Sequence, residues 1–417
     1  MQKSNRSYKT LLPYFFPFLA LLLCLFSKET SLAARKALYL CLDVVIPSLF
    51  PFFVLSRLLI PFVSGLSFPD FLKKIIEKLF NLPYYTIVII LLGFISGYPN
   101  GAKMSRDMFD QGLLDSRQAS KILSVANNCS PLFIIGTVGA GMLKSVKLGV
   151  FLLLMHWISG IIAAFITGKI ADSLVSERNS DHRKVRQEMF HERKQKGYHN
   201  KHIKKEDSNK NHGGNKSPVS GSLSALLPLS IEEAAILSIK VSGYIVFFAV
   251  ISELLSRMGV FSLAGGFLAS LIDIKKANPD LQEFISAFSR GIIEITSGSQ
   301  AISRLRGTAL NMQLSVISLF FGFAGFSVHT QIMGIMKGTG CKYRILFVGK
   351  LLHGVIGYIL TLVSISLMPA SIQTSNLESV SNLDFSPARP LIIGILLVSL
   401  IIAPYKVPQK PYAKKSK

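Results

Sequence analysis

Runs of apolar residues over 39–63, 146–170, 234–255, 345–367 and 391–403 with its flanks approach or exceed the roughly 20 residues that a helix needs to cross a bilayer. A soluble core does not need so many, and they predict an all-α polytopic membrane protein. Further apolar segments, two in each half, stop in mid-course at small and polar residues. In the first half these breaks are Ser96-Gly97-Tyr98-Pro99-Asn100-Gly101 and Asn127-Asn128-Cys129-Ser130-Pro131. In the second half they are Thr296-Ser297-Gly298-Ser299-Gln300 and Ser327-Val328-His329-Thr330-Gln331. Backbone freed from helix inside hydrocarbon persists only where protein, water or a ligand satisfies it. Paired interruptions in corresponding halves point to the binding site of a transporter.

The net charge of +23 raises the question of a nucleic-acid partner. The lysines and arginines lie mainly in loops and tails, where cytoplasmic charge sets membrane orientation, so membrane lipids and no nucleic acid are expected. Cys24, Cys41, Cys129 and Cys341 form no Cys-x-x-Cys pair, which supports neither a disulfide framework nor a zinc site. No cofactor, no metal and no catalytic constellation are expected, and the chain does not read as an enzyme. Gly136-Thr137-Val138-Gly139-Ala140-Gly141 lacks the strand and the acidic residue of a dinucleotide loop.

Residues 177–222 interrupt the apolar pattern with mixed charge, His182, His191, His199, His202 and His212, and almost no large apolar side chains. Such a stretch cannot offset chain entropy by burial and is expected to be a disordered basic cytosolic linker. The organisation read from this is an N-terminal span and loop (1–36), a first membrane repeat (37–176), the linker (177–222), a second repeat (223–368), and an external loop, last helix and basic tail (369–417). Lys3, Arg6 and Lys9 ahead of 11–26 resemble a secretory signal, but Pro13 and Pro17 favour a retained helix. With both termini in the cytosol, Lys73, Lys74, Lys78, Lys103, Arg106, Arg117 and Lys121 stay inside, as does the linker. The re-entrant segment over 83–101 then dips in from the cytosol and that over 284–306 from outside, so the repeats run inverted.

Several polar residues fall where these segments would meet. Ser96, Gly97 and Asn100 form the first tip, with Lys103 and Arg106 just beyond. Asn127, Asn128 and Ser130 precede a half-helix whose free N–H groups favour an anion, though Asn128 and Ser130 also suit a cap. Cys129 either lines the cavity or packs. Thr296, Ser297, Ser299 and Gln300 form the opposite tip, followed by Arg304 and Arg306. Glu294 either binds a coupling proton or sodium ion or pairs with Arg290 or Arg304, because a carboxylate at this depth needs a partner or a task. Ser327, His329 and Gln331 complete the set. His156 and His353 sit on continuous helices and read as packing.

Pro47-Ser48-Leu49-Phe50-Pro51-Phe52-Phe53, Gly97-Tyr98-Pro99-Asn100-Gly101-Ala102-Lys103 and Asn127-Asn128-Cys129-Ser130-Pro131-Leu132-Phe133 resemble the YlbJ sporulation integral membrane proteins, also called stage V sporulation protein V. The resemblance implies a nucleoside-recognition (Gate) domain and a fold similar to concentrative nucleoside transporters, with opposed re-entrant hairpins. It further implies residence in the outer forespore membrane and movement of dipicolinate toward the forespore in support of the spore cortex. A small anionic substrate is therefore expected. A second copy of the chain and other sporulation membrane proteins remain open as partners. Two alternatives stand beside this reading: a nucleoside or purine permease, and a non-transporting scaffold for spore envelope assembly.

Overall fold

The protein is described by a computed structural model over residues 7–175, 223–272 and 279–367. The predicted linker, the last helix over 391–403 and the basic tail lie outside the described residues. Those described are helical, with no strand among them. Five helices are long and apolar enough to cross a membrane: Ser27–Val63, Val146–Ala171, Leu226–Arg257, Leu310–Ile335 and Tyr343–Ser366.

The first half begins with α1 (Ser7–Leu25). Next comes a continuous 37-residue span, Ser27–Val63, made of α2 (Ser27–Leu40), a wider turn over Cys41–Val45, α3 (Ile46–Leu59) and the start of a tighter turn over Ile60–Gly65. The apolar run over 39–63 is thus only the later part of this span, and the boundary drawn at 36 falls inside α2. A short α4 (Asp70–Ile75) leads to a hairpin of α5 (Ile87–Ser96) and α6 (Asn100–Asp110). After it α7 (Ser116–Ala126) breaks at 127–131, resumes as a wide half-helix over Leu132–Met142, and is followed by α8 (Val146–Val175).

The second half has α9 (Leu223–Arg257) and α10 (Val260–Ile272), then a hairpin of α11 (Pro279–Ile293) and α12 (Ile295–Ser303). A broken helix, α13 (Leu310–Phe323) and α14 (Gly325–Ile335), precedes α15 (Tyr343–Ser366). Helix α13 sits at the centre, with Leu314, Ile317, Phe320 and Phe321 buried against Ile134, Val138 and Leu152. Outward faces stay apolar, as at Leu55, Ile161, Ile239 and Ile359, which suits contact with lipid.

Local chemistry explains where the helices stop. Asp115 caps α7 through its side chain, accepting from Arg117 and Gln118, while Gln118 returns a bond to Asp115 N–H. Pro131 removes a donor and disfavours helix at Ser130. The first-half breaks fall where the sequence puts them. Those of the second half lie earlier: at Glu294, whose backbone is extended, and at Ala324 in the left-handed region with φ 73°. Residues 296–300 and 327–331 are therefore the first turns of α12 and α14 and not open tips. Serine and threonine favour helix starts, so the polar runs mark the turn just beyond each break and not the break itself.

Candidate functional site

The α5–α6 tip is clasped onto the α7 break. Gly97 has φ 88°, and a cis peptide joins Tyr98 to Pro99. Tyr98 N–H donates to the Asn128 carbonyl at 2.7 Å. A Cβ on Gly93 or Gly101 would lie 1.9 or 2.2 Å from the Ala126 carbonyl oxygen, so only glycine permits this approach. Asn127 Oδ1 accepts from Ala102 N–H at 2.9 Å, and its Nδ2 donates to the Leu123 carbonyl. Asn100 Nδ2 donates to Ser96 Oγ at 2.8 Å, while its Oδ1 accepts from Ser56. Ser96, Asn100 and Asn127 are all buried and thereby bonded within the protein. Asn128 Nδ2 donates to Val125, but its buried Oδ1 has no partner among the described residues. Ser130 Oγ accepts from Phe133 N–H at 3.2 Å and caps the half-helix.

In the second half Glu294 turns both carboxylate oxygens onto the start of α12, accepting from Thr296 N–H at 2.8 Å and Ser297 N–H at 2.7 Å. Neither expected arginine pairs with it: Arg290 bonds Ser256 Oγ and lies over the Phe261 ring, and Arg304 is exposed. Ser297 Oγ lies 3.3 Å from Ser252 Oγ, Ser299 Oγ is buried without a partner among the described residues, and Gln300 is exposed. His329 bridges α14 to the end of α13 and to α15, with Nε2 2.8 Å from the Phe323 carbonyl and Nδ1 3.1 Å from Tyr343 Oη.

All four interrupted segments meet at one cavity of about 80 Å³. Tyr98 comes from the first hairpin, Cys129 and Ser130 from the α7 break, Glu294 and Thr296 from the second hairpin, and Ser327 and Gln331 from α14. Val44, Leu49 and Val241 supply an apolar wall. Of the expected residues, Ser130, Glu294, Ser327 and Gln331 reach this cavity, and Cys129 lines it. The tip residues Tyr98 and Thr296 also line it. The start of the half-helix at Ser130, of α12 at Glu294 and of α14 near Ser327 face the same space. Helix starts carry positive partial charge.

A larger charged cavity of about 820 Å³ adjoins it, with Val241 and Gln331 in both walls. Here Arg57 pairs with Glu233 at 2.8 Å, and Lys103 bonds Asp107 and reaches Glu233 at 3.5 Å. Arg106 pairs with Asp110 and donates to the Ile335 and Lys337 carbonyls at the end of α14. Burial pushes the Asp107 carboxyl above its usual range, with Lys103 pulling the other way. The sequence reading placed Lys103 with the substrate but missed Arg57 and Glu233. A charged residue inside an apolar span was the available signal. Lys350, on α15, was missed for the same reason; it is fully buried and donates to the Asn127 carbonyl.

These features define a multi-pass integral membrane protein, helical throughout its described residues, with a small, mainly apolar cavity where the interrupted helices meet. The chain is similar to the sporulation integral membrane protein YlbJ of Bacillus subtilis (strain 168), 26% identical over 345 residues that cover 83% of this chain and 80% of that protein. The match supports the YlbJ family, as its motifs imply. No protein-family model matches the chain and no solved structure matches it, so the Gate assignment rests on the motifs alone.

Proposed function

We propose that this sporulation membrane protein is a permease for a small dicarboxylate of the dipicolinate class, working by alternating access across the outer forespore membrane. The observation that carries the reading is the convergence of three helix starts on one small cavity. Glu294 already holds a carboxylate on one of them, in the geometry that a substrate carboxylate would adopt on the other two. The charged cavity, with Arg57, Lys103, Arg106 and Lys240 against three carboxylates, makes an adjoining antechamber that draws anions toward Gln331.

Inverted repeats of the concentrative-nucleoside-transporter kind fit the same features. His156 and His353 stand 197 residues apart in matching places on α8 and α15. Gly97 and Glu294, then Asn127 and Ala324, then Ser130 and Ser327, have that same separation, so tips, breaks and flanking spans follow in the same order in both halves. A second reading, a nucleoside permease, draws on Glu294 and Gln331 as partners for sugar hydroxyls and base edges.

Uptake of labelled dipicolinate into vesicles containing the purified full chain tests the proposal. Accumulation competed by unlabelled dipicolinate and not by uridine is expected, with loss on Gln331→Ala. Uptake of uridine alone moves the assignment to the nucleoside reading. Absence of both, with spore assembly abolished by deleting 180–220, moves it to a scaffold.

A further inference from the structure

Helix α15 carries a single lysine in the middle of its apolar length, and that side chain is completely buried. Among the described residues no carboxylate pairs with Lys350. Its Nζ donates to the main-chain carbonyl of Asn127, the residue at which α7 ends. Cys129, His156, His329 and His353 lie within electrostatic reach, and none of them is a carboxylate. An isolated buried ammonium is costly, so something must hold it. The end of α7 does so: its last carbonyls lack intrahelical donors and carry the negative end of the helix dipole. Carbonyls freed in this way in broken-helix transporters are where a coupling sodium ion or proton is held. Here the chain supplies its own cation.

We infer that Lys350 is a built-in cation seated at the α7 break, in the place that a mobile monovalent cation would otherwise take, so that this break needs no sodium. The inference rests on the broken-helix reading above but not on the identity of the cargo. Shortening the side chain uncovers the Asn127 carbonyl and leaves a space lined by the same oxygen and dipole. That space will accept sodium, or methylammonium as a detached copy of the lysine head.

Thermal unfolding of the full chain in detergent tests this without any substrate, in sodium, methylammonium and choline chlorides at equal ionic strength. For Lys350→Ala, sodium or methylammonium is expected to raise the midpoint by about 2–4 °C over choline. Wild type and Lys350→Gln, whose amide reaches the same carbonyl, are expected to be indifferent to the salt. If Lys350→Ala is too unstable to purify in choline, recovery by methylammonium carries the same meaning. A Lys350→Ala protein that shows no cation preference, or one that no cation recovers while Lys350→Gln folds, overturns the inference. So does a wild type that responds to sodium as strongly as the variant. A wrong cargo would leave every one of these measurements unchanged.

Discussion

His156 and His353 stack with ring centroids 4.5 Å apart and planes inclined by 21°, and His353 Nε2 lies 3.0 Å from the His156 carbonyl. A carbonyl only accepts, so His353 carries its proton on Nε2. His156 Nε2 accepts from Cys129 N–H at 3.0 Å, which leaves its own proton on Nδ1. The pair therefore ties α8 to α15 and at the same time satisfies backbone freed at the α7 break.

His156→Ala removes the acceptor of a buried N–H, and a loss of about 1–3 kcal/mol is expected. His156→Gln, which offers an amide oxygen, should recover part of it. Unfolding of both variants in detergent measures the difference; equal stability of His156→Ala and wild type would show that water or another group takes over.

Gly93→Ala and Gly101→Ala place a methyl group within 1.9 and 2.2 Å of the Ala126 oxygen. Backbone has to move, at a cost of about 1–3 kcal/mol or more. At Gly136 the nearest atom to an added Cβ is 3.6 Å away, and Gly136→Ala should be tolerated. The yield of folded protein after extraction separates the three.

Ala324 holds a left-handed backbone that disfavours an L-residue by about 1–2 kcal/mol. Ala324→Gly relieves it and should leave stability unchanged or raise it by up to about 1 kcal/mol. A clear drop in the melting midpoint would mean that the buried Ala324 methyl contributes more through packing than the backbone costs.

Glu294→Ala removes the cap of α12 and should cost about 0.5–2 kcal/mol. Glu294→Gln retains an acceptor and should cost less. If Glu294→Ala unfolds at the wild-type midpoint, the carboxylate is not what starts the helix.

The raised pKa of Asp107 has a defined sign. Folding favours its protonated form, so the stability this group contributes is complete below the ordinary carboxylate pKa and is lost as pH rises through the higher folded value. Asp107→Asn should remove that decline. Unfolding curves from pH 3 to 7 (about the span of such a titration) compare the two slopes, and parallel slopes would count against it.

The helical class, the spans over 39–63, 146–170, 234–255 and 345–367, and both first-half breaks were legible in the sequence because apolar length and the Tyr98-Pro99 and Ser130-Pro131 pairs leave the backbone few choices. The second-half breaks were not. Nothing in Phe323-Ala324-Gly325-Phe326 announces a turn at an alanine, and Glu294 reads as a buried charge before it reads as a cap. Ser96, Asn100 and Asn127 show another limit: polar side chains at a break can be used up by the fold itself. Which of them faces a cavity depends on tertiary contacts between halves. Lys350 was legible in principle, as a lysine set within the apolar run over 345–367.

Because Gly93 and Gly101 both press against a single oxygen of α7, the first hairpin and the interrupted helix behind it are joined too tightly to slide on one another. Any movement of this region must therefore carry them together as one rigid piece.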